Sequence, residues 1–471
     1  MGSLKPWALT VLLVAGLAGG LAAQAGGVHH GVLVGFSPSV LSPNGTNHLV
    51  QIDAYNRGVA YTTSPPGTWP FWGSPHGMVM DVDNRNVILP VLVDSRGLFS
   101  ALVHWNPALP GVGDTLWFGP TAGLFAGATE WTLNADGNPV TLDRLSNPPR
   151  LAEYDRLSKI WRFKPLSGSL ASFAGMSGLH WDALNGGYLF AGWSGGGMGN
   201  PPALGPTVLY RASHDGTSVT VLARDTSSAA LAGFGGHMLD NGDWVSSSAA
   251  AGALYYTVKR ASGKWSAGPA YQGRAFLDVT AEVHAAQGRG FFGVYSQGSG
   301  GVAYVDPTTA PATIISMYSG GASTWPGAPS QPLEVLPLHQ RTLCTRRTLG
   351  GCWDLNIRPC SVQLADKPFV VAAGVTGSGP PTLLPDGREI FLHLDLISYV
   401  SMVGGLAPFF RGNLGRLDRN GEATAVLDLT ALGTAANGIV VHFCGVVLDP
   451  NAPSGVALVL EPHAMVIEVR P

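Results

Sequence analysis

Charged side chains are sparse in this 471-residue sequence. Asp, Glu, Lys and Arg make up 12% of the chain, against about 25% in a typical soluble protein. Lys and Arg number 27 while Asp and Glu number 30, which gives a formal net charge of −3. Because the basic residues are scattered and form no patch, neither a nucleic acid nor an anionic membrane surface is expected as a partner.

Long apolar runs are also missing after the first 25 residues. Those residues contain Lys5, the apolar stretch ALTVLLVAGLAGGLAA and Ala23-Gln24-Ala25, which fits an A-x-A cleavage site. The sequence therefore predicts a signal peptide over residues 1–25 and a secreted, periplasmic or cell-surface protein. No later segment is long and apolar enough to be expected to span a membrane.

Cysteine is scarce, with four residues in the chain. Cys344, Cys352 and Cys360 are spaced eight apart, and in an oxidising compartment a disulfide within this group is expected. The spacing favours a 352–360 pair, with 344–352 nearly as good. A zinc site is disfavoured because there is no C-x2-C pair, and Cys444 fits a small buried hydrophobic residue.

Glycine (64), proline (35) and tryptophan (13) are abundant, and this turn-dense apolar composition favours β-structure. Two kinds of hairpin alternate along the chain with a period of about fifty residues, for example HGMVMDVDNRNVILPV from residue 76 and SALVHWNPALPGVGDTLWF from residue 100. An inner and an outer hairpin together make a four-stranded antiparallel sheet, and radial repetition of such sheets makes a β-propeller. We predict a propeller over residues 26–368, with seven blades favoured and six as the alternative.

The rhythm changes after the Gly/Pro-rich stretch AAGVTGSGPP. Alternating strands such as REIFLHLDL and GIVVHFCGVVLDP predict a small β-sandwich over residues 369–471. The run LGRLDRNGEATAVLDLTAL and the later stretch GIVVHFCGVVLDPNAPSGVALV resemble a C-terminal module in many exported proteins of planctomycete-type bacteria. This resemblance implies a structural or surface-associated module and carries over no functional residue.

The propeller repeats resemble the NHL-repeat and gluconolactonase-like group in the general form P-x-G-apolar-x-x-D-x-x-N. The resemblance implies a divalent metal held in the central tunnel by Glu, Asp and Asn side chains. The early Glu-Gly-Pro ligand of that group corresponds here to Pro75-His76-Gly77, so this ligand is absent.

The segment Asp81 to Asn86 has the look of an acidic calcium loop. An EF-hand loop needs an oxygen at position 5, glycine at 6 and glutamate at 12, where this chain has Arg85, Asn86 and Leu92. We therefore interpret the segment as a polar hairpin turn.

A ring of residues on the innermost strands is the remaining candidate for chemistry. The tunnel-side candidates are His76, Glu130, His180, His237, Glu282 and Glu334. Such side chains suit a transition metal or general acid–base catalysis, but they fall at different offsets of the repeat. A metal-dependent lactonase or other hydrolase using His76, Glu130, His237 and Glu282 is therefore the alternative function, and a divalent metal is expected only under it. No G-x-S-x-G nucleophile motif occurs.

Aromatic residues in proline-rich loops offer a recognition surface. PPGTWPFWGSP carries Trp69, Phe71 and Trp72, and Trp193 lies in a comparable glycine-rich region. Such rings can stack on sugars or peptides. The favoured prediction is an exported protein that binds or assembles through propeller loops rather than an enzyme. Its partner would be a carbohydrate, a peptide or a cell-surface protein, with no cofactor.

Overall fold

The computed structural model contains thirty-four β-strands and one α-helix in the residues it describes. Those residues are 31–36, 49–53, 60–63, 78–83, 85–92, 99–106, 113–120, 131–143, 146–168, 175–193, 207–225, 232–239, 241–248, 253–270, 276, 278–281, 290–295, 301–307, 312–319, 332–337, 342–359 and 362–469. The protein is all-β, as predicted.

The predicted pairs of hairpins form four-stranded antiparallel sheets. The first three strands are β1 (Gly31–Phe36), β2 (Leu49–Asp53) and β3 (Ala60–Thr63). Two sheets follow: β4 (Val79–Met80), β5 (Val87–Leu92), β6 (Phe99–Trp105) and β7 (Gly113–Pro120), then β8 (Trp131–Leu133), β9 (Pro139–Asp143), β10 (Arg150–Asp155) and β11 (Ile160–Pro165).

The next two sheets have the same order. One consists of β12 (Gly175–Trp181), β13 (Gly187–Trp193), β14 (Thr207–Ser213) and β15 (Val219–Arg224), and the other of β16 (Ala232–Met238), β17 (Trp244–Ser248), β18 (Tyr255–Lys259) and β19 (Lys264–Ala267). A further sheet contains β20 (Asp278–Ala281), β21 (Phe291–Tyr295), β22 (Gly301–Asp306) and β23 (Thr313–Ser319).

The two ends of this region close a ring. Strand β24 (Pro332–Pro337) pairs with β1 and completes the sheet of β1 to β3. The first strands of successive sheets, β4, β8, β12, β16 and β20, contact each other in that order, and β24 contacts both β20 and β4. This is the arrangement of a β-propeller, in which these six strands are innermost. We number the blades from the one that contains β1, so that β4 begins blade 2 and β16 begins blade 5.

Burial follows the radial arrangement. Strand β9 is buried at every position, whereas the outermost strands β11 and β15 are exposed at half or more of theirs. Between these extremes, Phe190 and Tyr210 stack within one blade with their ring centroids 5.5 Å apart. The second strands β13, β17 and β21 also contact the first strand of the following sheet, so the inner strands form the contacts between blades and the outer strands lie at the surface.

The described strands make six blades, so the favoured count of seven is not confirmed. The hairpin of β25 (Leu343–Arg347) and β26 (Cys352–Ile357), which would have supplied a further blade, pairs with a strand far downstream instead. Its sequence has the same local pattern as the other hairpins. That pattern specifies a hairpin but does not determine which strand pairs with it.

The C-terminal region begins with that hairpin and contains two four-stranded sheets and one two-stranded sheet. Its later elements are β27 (Pro368–Gly374), β28 (Thr382–Leu383), β29 (Glu389–Ile390), α1 (Leu396–Met402), β30 (Phe410–Arg411), β31 (Leu414–Arg416), β32 (Ala423–Asp428), β33 (Val440–Leu448) and β34 (Val456–Val466). Short 3-10 helices lie at Val362–Leu364, Thr430–Ala436 and Pro453–Gly455.

The two four-stranded C-terminal sheets have the orders β25-β26-β32-β30 and β31-β27-β33-β34, and β28 pairs with β29. Trp353 and Leu355 from one sheet and Phe369 and Phe443 from the other belong to the same buried cluster, as in a β-sandwich. The predicted domain boundary between residues 368 and 369 stays a prediction. Strand pairing crosses it, since β26 lies beside β32.

The sandwich packs against the turns that follow the inner strands of blades 2, 3 and 4. Three hydrogen bonds mark this contact: Arg358 Nη1 to Asp83 O (2.9 Å), Trp353 Nε1 to Asp136 Oδ1 (2.8 Å) and Trp181 Nε1 to Ala464 O (3.1 Å). One end of these three blades is therefore covered by the C-terminal region.

The disulfide prediction is wrong for both proposed pairs, because Cys344, Cys352 and Cys444 are thiols. Cys344 lies opposite Asn356 in the β25–β26 ladder, four residues from Cys352. This offset separates their Cα atoms by roughly 13 Å, beyond the reach of a disulfide of about 7 Å. Cys360 lies outside the described residues. Cys444 is buried, as predicted, and burial raises the pKa of its thiol to about 12.

The predicted signal peptide, residues 1–25, lies outside the described residues, so export stays a prediction. Within the described ranges, no helix has the length and apolar character needed to cross a membrane.

Candidate functional site

The turns after the inner strands repeat the same backbone arrangement. In blades 2, 3 and 4 the turn begins at Asp81, Asn134 and Asp182, whose backbone N–H groups bond to Asn86, Asn138 and Gly187 across the hairpin. The side-chain oxygens of Asn134 and Asp182 also accept backbone N–H groups within their own turns. A polar residue at this position is therefore part of the turn, whatever else it does.

In blade 2 this turn is closed by charge pairing. Both oxygens of Asp81 accept from the Arg156 guanidinium, at 2.7 and 3.0 Å, and one also contacts His104 Nε2 at 2.8 Å. Burial alone would raise the pKa of Asp81, but the hydrogen bonds from His104 and Arg156 and the charge of Arg156 hold it well below its usual range. Both oxygens of the ionised Asp81 carboxylate therefore already have hydrogen-bond partners.

Asp81, Asp83 and His104 place one potential ligand atom each within 4.8 Å of one another, so the calcium interpretation can be tested directly. Asp83 Oδ1 accepts the backbone N–H groups of Arg85 and Asn86, both at 2.9 Å, and Asp81 is neutralised by an arginine. A cation would have to displace these donors. The interpretation as a polar hairpin turn is confirmed.

A cleft of about 270 Å³ lies between blades 4 and 5, beside the turns of β12–β13 and β16–β17. Its walls include the buried apolar side chains of Leu189, Leu209, Met238 and Trp244. The volume suits a small molecule or one end of a larger one.

Charged residues line the same cleft. Asp182 pairs with Arg211 at 2.8 Å and Asp243 pairs with Lys259 at 2.6 Å. Arg260 also lines the cleft, and within the described part of the chain only its backbone N–H is bonded, to Asp243. The two carboxylates thus balance two of the three cations and leave one positive charge in excess.

Two lining residues carry buried donors. Arg211 Nε and Trp244 Nε1 find no acceptor among the described residues. A buried donor without an acceptor carries a cost of about 1–3 kcal/mol. Burial also lowers the pKa of Arg260, and the Arg211 charge lowers it further while Asp182 and Asp243 oppose this effect. The cleft therefore favours an anionic acceptor.

A second arrangement lies on the inner strands of the same two blades. His180 on β12 and His237 on β16 have their Nε2 atoms 3.1 Å apart, with ring centroids at 3.9 Å. His180 is buried and His237 is half-buried. Each histidine lies two residues before the start of its turn, at Asp182 and Leu239, so the two occupy equivalent positions in their blades.

Most of the predicted site residues lie outside the described residues: Trp69, Phe71, Trp72, His76, Glu130 and Glu282. The recognition loop and the four-residue metal set therefore stay predictions. The backbone of Trp193 ends strand β13. His237 is the one member of the metal set that the structure describes, and it lies beside His180.

Sequence reasoning missed Arg211, Lys259 and Arg260. A usable signal was present, because each outer hairpin from blade 3 to blade 5 carries a cation near its turn: Arg156, Arg211 and the pair Lys259-Arg260. Pairing these cations with the acids of the inner turns would have indicated the charged cleft.

No family model matches the chain, and no curated protein matches it. Among solved structures, TolB from Acinetobacter baumannii is 10% identical, with a TM-score of 0.42 over 66% of this chain and 67% of TolB. A protein from Lactobacillus plantarum is 9% identical (TM-score 0.39; 70% and 92% covered), and an inactive virginiamycin B lyase from Staphylococcus aureus is 10% identical (0.35; 55% and 77%). Similarities this low identify no function for this chain.

Proposed function

We propose that this protein is an exported, non-catalytic recognition protein whose propeller binds an organic carboxylate in the cleft between blades 4 and 5. The single observation that supports this most is the positive charge left over in a cleft that also has apolar walls. Arg260 has no carboxylate of its own among the described residues, whereas Arg211 and Lys259 each have one.

The chemistry of the walls narrows the ligand. A hydrated inorganic anion would gain nothing from Leu189, Leu209 and Met238, because apolar surface stabilises only apolar groups. A carboxylate joined to a small apolar group satisfies both parts of the cleft. The last residue of a peptide and a free aliphatic acid share this chemistry.

Recognition would combine a hydrogen bond with a charge. An acceptor near Arg211 would satisfy its buried Nε donor, and charge-assisted hydrogen bonds are roughly twice as strong as neutral ones. The proposal extends the predicted binding role to a defined place on the propeller. The predicted aromatic loop with Trp69, Phe71 and Trp72 stays a separate hypothesis about a larger partner.

The test uses matched charged and neutral probes. N-acetyl-leucine is compared with N-acetyl-leucinamide, and hexanoate with hexanamide, by calorimetry and thermal unfolding of the whole chain. We expect the two carboxylates to bind and to raise the unfolding temperature, since a ligand of the folded state alone stabilises it. The neutral amides should bind at least tenfold more weakly. A preference for one carboxylate separates a peptide terminus from a free acid.

Arg260→Gln should weaken carboxylate binding at least tenfold. Arg419→Gln is the matched control, because Arg419 is exposed in the turn before β32, away from the cleft. Equal binding of acid and amide, or equal losses in the two variants, would refute the cleft as a carboxylate site.

A further inference from the structure

Helix α1 in the C-terminal sandwich turns polar side chains inward and apolar side chains outward. Ser398 and Ser401 are fully buried, whereas Leu396 is 78% exposed and Tyr399 and Val403 are each 64% exposed. A surface helix ordinarily does the reverse, with an apolar stripe on the core and polar residues in solvent. The three exposed side chains are spaced at i, i+3 and i+7, so they form one ridge along the helix.

The hydrogen bonds of the buried serines explain this orientation. Ser398 Oγ accepts the backbone N–H of Asp395 at 2.8 Å, and the Asp395 carboxylate accepts the N–H of Ser398 at 2.7 Å, which is a capping box. Ser401 Oγ accepts the N–H of Ala373 on β27 at 3.0 Å. Asn413 Nδ2 donates to Ser401 O at 2.9 Å. These hydrogen bonds fix the helix on β27 and leave the apolar ridge facing solvent.

Exposed apolar residues at both ends of the helix widen the ridge into a patch. Leu394 comes just before the helix cap, and Asp395 Oδ2 holds the backbone N–H of the exposed Val375 at 3.0 Å. At the other end, a Cβ atom at Gly404 would lie 3.5 Å from Cδ1 of the exposed Leu414. We refer to the following six residues as the α1 patch: Val375, Leu394, Leu396, Tyr399, Val403 and Leu414.

The size of the α1 patch matches one side of a protein interface. Its six side chains are 38–78% exposed, which leaves roughly 350–500 Å² of apolar surface in solvent, at roughly 100–150 Å² for each side chain. Monomeric proteins rarely expose contiguous apolar patches of more than a few hundred Å². A stable interface buries about 800 Å² on each partner, and about 60% of that area is apolar. The α1 patch therefore has the apolar area that one copy contributes to a stable dimer.

The charges around the α1 patch favour a second copy as its partner. Between Phe391 and Phe410 the chain has one carboxylate, that of Asp395, and no Lys or Arg. A two-fold interface brings the same surface of both copies together, so a charged patch would repel itself and a neutral one does not. A helix that lies on an anionic membrane carries Lys and Arg beside its apolar face, and this segment has neither.

We propose that the α1 patch is the interface of a two-fold symmetric dimer, in which α1 of one copy packs against α1 of a second copy. The proposal is independent of the carboxylate cleft, because no residue of the α1 patch lines that cleft.

The test is the mass of the whole chain in solution, measured by light scattering over a dilution series. We expect a dimer that dissociates on dilution, with a dissociation constant at least tenfold higher for Leu396→Glu. Leu349→Glu is the matched control, because Leu349 is also 78% exposed but lies in the β25–β26 turn of the other sandwich sheet. A monomer at every concentration, or equal dissociation constants for the wild type and Leu396→Glu, would overturn the proposal. So would an equal loss in Leu349→Glu.

A second measurement needs no variant and so decides the matter if Leu396→Glu does not fold. Amide hydrogen exchange of the wild-type chain is compared at concentrations above and below dimer dissociation. Slower exchange in α1 and β31 at the higher concentration supports the α1 patch as the interface. Slower exchange confined to other elements overturns it. A monomer that instead binds phosphatidylcholine vesicles, with slower exchange in α1, would identify a membrane as the partner and also overturn the dimer.

Discussion

Blade 2 and the pair of blades 4 and 5 place acidic residues in the same turns but use them differently. In blade 2, Asp81 is 1% exposed and Arg156, which pairs with it, is 12% exposed, so the charges are closed off from solvent. At blades 4 and 5, Arg211 is 32% exposed, and Arg260 has no carboxylate of its own in the described part of the chain. The same repeated turn is therefore scaffold in one place and the border of a cleft in another. The difference lies in which cations the outer hairpins supply.

The largest expected effect comes from removing the closed pair. Asp81→Asn leaves the Arg156 charge buried without a counter-charge, and breaking such a pair costs about 3–5 kcal/mol in the free energy of unfolding. Asp182→Asn should cost about 1–2 kcal/mol, since Arg211 is partly solvated and the asparagine still caps the turn. Denaturant unfolding of both variants measures the difference. Equal losses would mean that the two turns are not distinct in energy.

Acid should reduce the difference in stability between the wild type and Asp81→Asn. The pKa of Asp81 lies below its unfolded value of 3.8, so its stabilisation is present above pH 3.8 and is lost as the pH falls through the lower folded value. The gap in unfolding free energy between the wild type and Asp81→Asn should narrow below pH 3.8, by up to roughly 1.4 kcal/mol per pH unit. A gap that stays constant down to pH 2 would contradict the ion-pair account.

Much of the fold could be predicted because hairpins are local. The polar turns, the β-branched arms and the fifty-residue period are visible in any one repeat, and they predicted an all-β propeller followed by further strands. The sheet that β25 and β26 join could not be predicted in this way. Strand β26 pairs with β32, about seventy positions downstream, and the assignment of this hairpin to the propeller accounts for the favoured seventh blade.

The candidate site was less predictable, because it depends on register. His180 and His237 occupy equivalent positions of the repeat only when the blades are aligned by the residue that begins each turn. The backbone hydrogen bonds of Asp182 and Leu239 identify those residues. Alignment by composition placed the candidate residues at different offsets and disfavoured a metal. The charged cleft was missed for a related reason, since Arg211 meets Asp182 across two strands.

His442 offers a smaller effect that links the C-terminal sandwich to the turn of blade 4. Burial lowers its pKa from 6.5, while the Asp182 charge and a hydrogen bond with the Leu184 backbone oppose this. A histidine with a lowered folded pKa stabilises fully above pH 6.5 and loses that stability as the pH falls below it. His442→Gln should therefore flatten the decline in unfolding free energy between pH 6.5 and 5.

Asp182→Asn provides the complementary control for this effect. Without the Asp182 charge, the pKa of His442 should fall further, and the decline below pH 6.5 should become steeper or extend to lower pH. If neither variant changes the slope, the sandwich and the blade 4 turn are not coupled through His442.

The smallest effect on stability should come from Arg260, although it is central to the proposed site. Arg156→Gln would leave Asp81 buried with His104 as its remaining side-chain partner and should cost several kcal/mol, about 3–5 by the same reasoning. Arg260→Gln removes a cation for which the described residues hold no separate carboxylate, so its unfolding free energy should stay within about 0.5 kcal/mol of the wild type. Denaturant unfolding of the two arginine variants, beside the carboxylate titration of Arg260→Gln, tests this separation. A loss in Arg260→Gln as large as in Arg156→Gln would make Arg260 a scaffold residue, because a residue kept for a ligand contributes little to folding.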